Sequence, residues 1–245
     1  MALVHEFENS GNWLFKRRGW LPVVLIIAGI VMMYLGNRQA LIFDLRNEMI
    51  FLSVSLAGEL IRIITVGYAP KDTSGRNTAA GQIAEELNVT GLYSIVRHPL
   101  YLGNFFMWLG PVLFLQSAWF TVVFALVFWI YYERIMFAEE QFLRRKFGDA
   151  YDLWSEKVSA FFPFTIKYIP PKLSFSVRNV LKREYNSIVN IFIVFALLDV
   201  FRNYILTERL FITRIWMYLL AGAAGIWLII FLIHKLTRWL EVKGR

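Results

Sequence analysis

Six apolar runs, most of them long enough to cross the hydrocarbon core of a bilayer, recur along the 245-residue chain. A helix needs roughly 20 apolar residues to span about 30 Å of hydrocarbon. Within lipid, helices and closed barrels are the only structures that pair every backbone N–H and C=O. The runs fall at about 19–36, 48–68, 99–115, 118–138, 186–203 and 212–234. They predict an all-α, polytopic helical membrane protein with about six transmembrane helices, built as a single membrane domain over 1–245. Composition agrees, because 58% of residues are hydrophobic and 18% charged, whereas a soluble domain carries roughly 25% charge.

Charge outside the runs is lopsided. With the N-terminus in the cytoplasm, nineteen Lys and Arg collect on that side, while Arg38, Arg46, Arg209 and Arg214 fall at the opposite ends. The positive-inside rule then predicts that both termini and both long loops are cytoplasmic. The net charge of +8 suits anionic headgroups rather than nucleic acid. The absence of cysteine excludes disulfides, thiolate catalysis and cysteine metal sites. His5, His98 and His234 are too scattered to form a metal-ligand pattern. The first twenty residues carry Glu6 and Glu8 without a small-residue cleavage site, so they do not read as a removable signal peptide.

The polar stretch "SIVRHPLYLGNF", Ser94 to Phe105, stands at the threshold of the third run. Pro99 suits a first helical turn, where free N–H groups and the helix dipole favour an anion. From Pro99 the chain crosses, turns at Gln116–Ser117 and returns through "FWIYYERIMFAEEQFL". The two legs are of comparable length, so the hairpin is expected to bring Arg97 and His98 close to Glu139 and Glu140. Tyr101, Asn104, Phe105 and Trp108 are spaced to share one helix face. An aromatic face beside a carboxylate pair and a helix N-terminus is a candidate site for a large cationic or zwitterionic cofactor.

"GLYSIVRHPLYLG" followed by "EEQFLRRKFGDAYDLWSEKVSAFFPF" resembles the integral membrane methyltransferases that include isoprenylcysteine carboxyl methyltransferase and the phospholipid methyltransferases. Arg97, His98, Pro99, Tyr101, Gly103, Glu139, Glu140, Phe147, Gly148, Tyr151 and Pro163 carry the likeness over roughly 85–165, leaving 1–68 and 186–234 as flanking helices. The resemblance implies S-adenosylmethionine bound in a cytoplasm-facing pocket and a lipid or lipid-linked acceptor entering from the bilayer. It implies cofactor contacts from Gln82, Glu86, Leu87, Asn88, Tyr93, His98, Pro99, Leu100, Tyr101 and Glu140. It further implies an acceptor-side arginine, for which Arg134 is the candidate by position. Displacement at a sulfonium carbon needs positioning and electrostatics more than a covalent nucleophile. Arg97 or Arg134 would orient an anionic oxygen, carboxylate or phosphate, which needs no general base; an amine would need its proton removed, by Glu139 or by solvent.

Two other classes fit parts of the chain. A nicotinamide-dependent reductase of the related sterol type would share the helical core. A transporter or lipid-binding scaffold would rest on the intramembrane charges Glu59, Arg62, Asp199 and Arg202, although each i, i+3 couple is read as a mutual pair. Ser94 lacks a His/Asp constellation and is not read as a nucleophile. A short helical piece is expected around Gln82 to Leu87, and 170–187 reads equally as an amphipathic surface helix or a plain connection.

Overall fold

The computed structural model describes residues 2–70, 83–164 and 167–245. Eight α-helices dominate these residues: α1 (Leu3–Lys16), α2 (Trp20–Leu35), α3 (Leu45–Tyr68), α4 (Pro99–Phe114), α5 (Ala118–Phe147), α6 (Asp149–Ser155), α7 (Val177–Thr207) and α8 (Arg214–Leu236). Strand-like pairing among the described residues is confined to the bridges Gly91–Ile169 and Val96–Ser159. The all-α membrane architecture is therefore observed. Helices α3, α5, α7 and α8 are long and apolar enough to cross a membrane, whereas α2 and α4 are apolar but shorter. The 16 residues of α4 rise about 24 Å, less than the hydrocarbon thickness.

The α4–α5 hairpin turns where the sequence expects it. Gln116 takes a positive φ of 54°, and the Ser117 hydroxyl accepts from the Phe120 N–H at 3.3 Å to cap α5. The returning helix then runs well past its apolar stretch, to Phe147, and ends at Gly148 with φ 52°. Arg144, Arg145 and Lys146 occupy its last turn, where cations complement the helix dipole. The sequence boundary at 138 marks where hydropathy falls, not where the helix stops.

The tightest packing joins α3 to α4. Pro111 lies inside α4 and has no N–H to give the Met107 carbonyl. The Ser55 hydroxyl of α3 supplies that bond instead, at 2.8 Å. The approach requires glycine: a Cβ at Gly110 would run into the Ser55 hydroxyl and the Phe51 carbonyl. Polar compensation and close contact are thus one feature.

The segment 170–187 is a plain connection only as far as residue 176, and its remainder is not a helix lying on the surface. Residues 170–176 are irregular, and α7 begins at Val177, where Ser176 caps it by accepting from the Asn179 N–H. Its first turns bury Asn179, Val180 and Glu184, so they pack on protein and do not lie on headgroups. At the other end of α7, Arg202 pairs with Asp199, as expected, and also with Glu48 of α3, each at 2.7 Å. The helical piece expected at 82–87 is not found in its described part, since residues 83–87 form bends without helix. Tertiary contacts override local propensity there: Ala84 is buried and Glu86 pairs with Lys172 at 3.2 Å.

Helix α1 runs antiparallel to the later half of α5. Glu8 pairs with Arg145 at 2.6 Å near one end, and Leu14 receives the Tyr131 hydroxyl at 3.3 Å near the other. At the far end of the chain, the Arg245 guanidinium donates to the Gly67 carbonyl at 2.9 Å, beside the end of α3. Both termini therefore lie on the face where α3 and α5 end and α4 and α7 begin.

Candidate active site

On that face a cavity of about 230 Å³ opens between the segment after residue 82 and the helix ends. Pro99 starts α4 directly beneath it. The approach to α4 is fixed by main-chain bonds, Arg97 N–H to Ser159 O at 2.9 Å and His98 N–H to Ala160 O at 3.1 Å. The Ser94 hydroxyl donates to Gly91 O at 2.7 Å and accepts from Ile169 N–H at 2.9 Å, so it holds the loop together.

The hairpin brings the two motifs into contact. Glu140 Oε1 accepts from Arg97 Nε at 2.9 Å and lies 3.0 Å from His98 Nε2. With a carboxylate at that distance, Nε2 carries the imidazole proton. Glu139 Oε2 accepts from the Tyr101 hydroxyl at 2.8 Å, and the His98 and Tyr101 rings stack at 5.5 Å.

The two glutamates differ in what they face. Glu139 lines the cavity, while Glu140 is held behind Arg97 and His98. Arg97 is held as firmly: its remaining donors go to the carbonyls of Ser155 at 2.8 Å and Val158 at 2.5 Å. Expected as an acceptor-orienting cation, it is placed as a strut between α5 and the segment after α6.

Of the residues expected to hold a cofactor, Glu86, Leu87, Asn88 and Tyr93 line the cavity from the loop, and His98, Pro99, Leu100 and Tyr101 line it from α4. Asn88 also shapes its own loop, its side-chain oxygen accepting from Thr90 N–H at 3.3 Å. Trp154 donates to the Tyr93 carbonyl at 3.2 Å and closes the outer wall. Burial pushes the Tyr93 hydroxyl well above its ordinary range, with the Glu139 charge adding to it, so the phenol stays neutral. Gln82 lies outside the described residues.

Arg134 is not brought to the cavity. Its guanidinium lies 3.3 Å from the Phe7 ring centroid, turned toward α1. The helix period explains this. Arg134 precedes Glu139 by five residues, which turns it about 140° away around the helix.

Other cations take the inner wall. Arg62 meets Glu184 of α7 through Nε and NH2 at 2.8–3.0 Å, and its NH1 donates to Asn104 Oδ1 at 2.7 Å. Glu59, the partner expected from i, i+3 spacing, is 4.0 Å away. Asn104 in turn donates to the Tyr132 hydroxyl at 3.2 Å. Arg18, Arg62, Arg183 and Glu184 all line the cavity, and no motif in the sequence marks them as site residues. The usable signal is their charge inside or beside apolar runs.

The described geometry meets independent similarity. The profile of the phospholipid methyltransferase family matches residues 49–150. A probable protein-S-isoprenylcysteine O-methyltransferase of Oryza sativa subsp. indica is 32% identical over 132 residues, covering 51% of this chain and 69% of that protein. The protein-S-isoprenylcysteine O-methyltransferase of Schizosaccharomyces pombe is 39% identical over 74 residues, 30% of this chain and 31% of that one. A nickel-cobalt-cadmium resistance protein of Alcaligenes xylosoxydans xylosoxydans is 34% identical over 84 residues, 34% and 39% of the two chains. No solved structure matches the chain. From the α3–α5 core, its acidic pair and these relatives, the chain belongs to the membrane methyltransferase family that includes the isoprenylcysteine carboxyl methyltransferases and the phospholipid methyltransferases.

Proposed function

We propose that the protein transfers the methyl group of S-adenosylmethionine to an anionic oxygen of a lipid or lipid-linked acceptor at the cytoplasmic membrane face. The observation that carries this reading is the cavity itself: a polar loop roofs it, membrane helices wall it, and Glu139 bound to Tyr101 stands between them. The cavity's donor set fits the cofactor. Glu139 and Glu86 suit a sulfonium and an ammonium, Arg183 and the Leu100 N–H at the start of α4 suit a carboxylate, and Leu87, Leu143 and Trp154 suit the faces of an adenine.

When bound, S-adenosylmethionine supplies an electrophilic methyl carbon. The chain's part is to bind, orient and exclude water. Glu140 fixes Arg97 and His98, and through them the start of α4. The Tyr101 hydroxyl fixes the Glu139 carboxylate. A preset negative charge costs no reorganisation as the sulfonium charge moves. An ionised carboxylate or phosphate attacks without losing a proton, so no general base is required.

Six membrane passages with cytoplasmic termini complete the proposal. Its support is the charge bias of the loops together with the placement of both termini on the cavity face. The acceptor's lipid character is supported by the two relatives named for acting on protein-S-isoprenylcysteine.

The test uses full-length protein and methyl-labelled S-adenosylmethionine with total membrane lipid. Label on oxygen is expected, released by alkali from a carboxyl methyl ester and retained on a phosphate methyl diester, and label confined to amine headgroups would sink the acceptor assignment. S-adenosylhomocysteine should raise the melting temperature and NADPH should not; the reverse would favour a reductase.

A further inference from the structure

We propose that the turn between α1 and α2 seats the phosphate of an anionic phospholipid, drawn from the leaflet on the cavity side and held by Lys16 and Arg17. The turn lies outside residues 49–150, the part shared with the family profile, and the seat does not depend on the methyl-transfer reading. Local sequence divides α1 into two faces. Gly11 and Phe15 are buried, and a Cβ at Gly11 would run into the Arg134 carbonyl and the Ala138 side chain, so this face lies flush on α5. Trp13, Lys16 and Arg17, at i, i+3 and i+4, share the other face, and Trp20 opens α2 just past them. All four are exposed, and a Cβ at Gly19 would meet nothing within 4 Å.

The exposed cations have no counter-charge in the protein. Arg145 pairs with Glu8 at 2.6 Å and Arg144 with Asp152 at 2.7 Å. Among the described residues neither Lys16 nor Arg17 meets an acid, and the Arg17 guanidinium rests instead 4.3 Å over the Trp13 ring. Glu133, the exposed acid of α5 next to Arg134, forms no ion pair either.

Depth gives those two charges their meaning. The Leu14 carbonyl accepts from the Tyr131 hydroxyl, and Tyr131 precedes Glu139 by eight residues of continuous helix, about 12 Å. The turn is therefore level with the apolar stretch of α5 and not with the polar loop over the cavity. From the turn α2 has 16 residues, a rise of about 24 Å, short of the hydrocarbon thickness. A cation facing lipid at this level is costly unless the leaflet thins and headgroups come down to it. An anionic headgroup does so and brings the missing counter-charge. A guanidinium beside an ammonium suits a phosphate through several N–H donors, and exposed indoles suit the border between headgroup and chain. Phe15 and Arg18, on the inner side of the same stretch, line the cavity, so the lowered headgroups reach its inner end.

The experiment titrates full-length protein in detergent with dioleoyl phosphatidylglycerol or dioleoyl phosphatidylcholine and counts the lipids retained by native mass spectrometry. Wild type should hold one phosphatidylglycerol about tenfold or more tighter than phosphatidylcholine. Lys16→Gln with Arg17→Gln should lose that preference while melting, without lipid, at the wild-type temperature. Each single substitution should lose part of it, so the result is readable even from a double variant that melts low. Lys235→Gln with Lys243→Gln removes the same charge at exposed positions elsewhere and should keep the preference. Excess inorganic phosphate should not displace the lipid. A preference absent from wild type, retained in full by the Lys16 and Arg17 variants, or lost equally in the Lys235 and Lys243 variant overturns the proposal. Displacement by inorganic phosphate overturns it too, since the seat would then recognise a free anion and not a lipid. The readout is retained lipid, so failure of the methyl-transfer reading would leave this result standing.

Discussion

Arg62 and Glu184 meet across α3 and α7 in a two-pronged ion pair of 2.8–3.0 Å, the glutamate side chain only 2% exposed. This pair ties the family-matched helices to the C-terminal part of the chain. Removing one partner of a buried pair leaves an uncompensated charge and costs about 3–5 kcal/mol. Glu184→Ala should therefore lower the melting temperature of the detergent-solubilised protein sharply. The double substitution Arg62→Met with Glu184→Leu should recover most of the loss. A single variant as stable as wild type would show that the pair contributes little.

Arg97 should behave as a strut. Arg97→Lys keeps a charge for Glu140 but leaves the Ser155 and Val158 carbonyls short of a donor, and an unsatisfied buried polar group costs about 1–3 kcal/mol. Melting temperature should fall and kcat with it, while KM for the acceptor stays near wild type. A selective rise in acceptor KM would instead return Arg97 to the acceptor.

The acidic pair should divide its work. Glu139→Gln should weaken S-adenosylmethionine binding about tenfold or more by calorimetry, with little change in melting temperature, because it faces the cavity where the sulfonium charge would sit. Glu140→Gln should reduce thermal stability as well, because it releases Arg97 and His98. Equal stability losses in the two variants would contradict this division.

Much of this architecture is legible in the amino-acid sequence. Apolar run length fixes the class, and a two-residue break between long runs dictates the α4–α5 hairpin, so the contact of His98 with Glu140 follows from topology alone. Side-chain direction is less accessible. Neighbouring Glu139 and Glu140 differ by about 100° around a helix, and hydropathy does not say which one meets the cavity. Arg134 is misplaced by position alone for the same reason. Local spacing couples Arg62 to Glu59, whereas its stronger partner, Glu184, lies 122 residues away, and long-range partners leave no local pattern. The bends at 83–87 escape a reading by propensity because tertiary contacts set them.

The proline in α4 gives a test of local logic. Ser55→Ala removes the hydroxyl that donates to the Met107 carbonyl, which Pro111 cannot serve, and should cost about 1 kcal/mol. Gly110→Leu should cost considerably more, since its side chain would enter the space of Ser55 and Phe51. Thermal melts of the two variants should rank in that order; a Gly110→Leu protein as stable as wild type would mean that α3 and α4 separate easily.

Tyr151 sets an alkaline limit. Its ring is 2% exposed, and burial, followed by the charge of Glu140, pushes its hydroxyl well above the ordinary range. Tyrosine in the unfolded chain ionises near pH 10, so above that pH the unfolded chain binds fewer protons than the folded protein. Stability must then decline as pH rises, beginning at the unfolded value and continuing toward the folded one. The shift contributes nothing to pH dependence at neutral pH, where both states carry the proton. Tyr151→Phe removes the ionisable group, so its melting temperature should fall less steeply than wild type between about pH 9.5 and 11. Parallel melting profiles across that window would show that Tyr151 is not the group responsible.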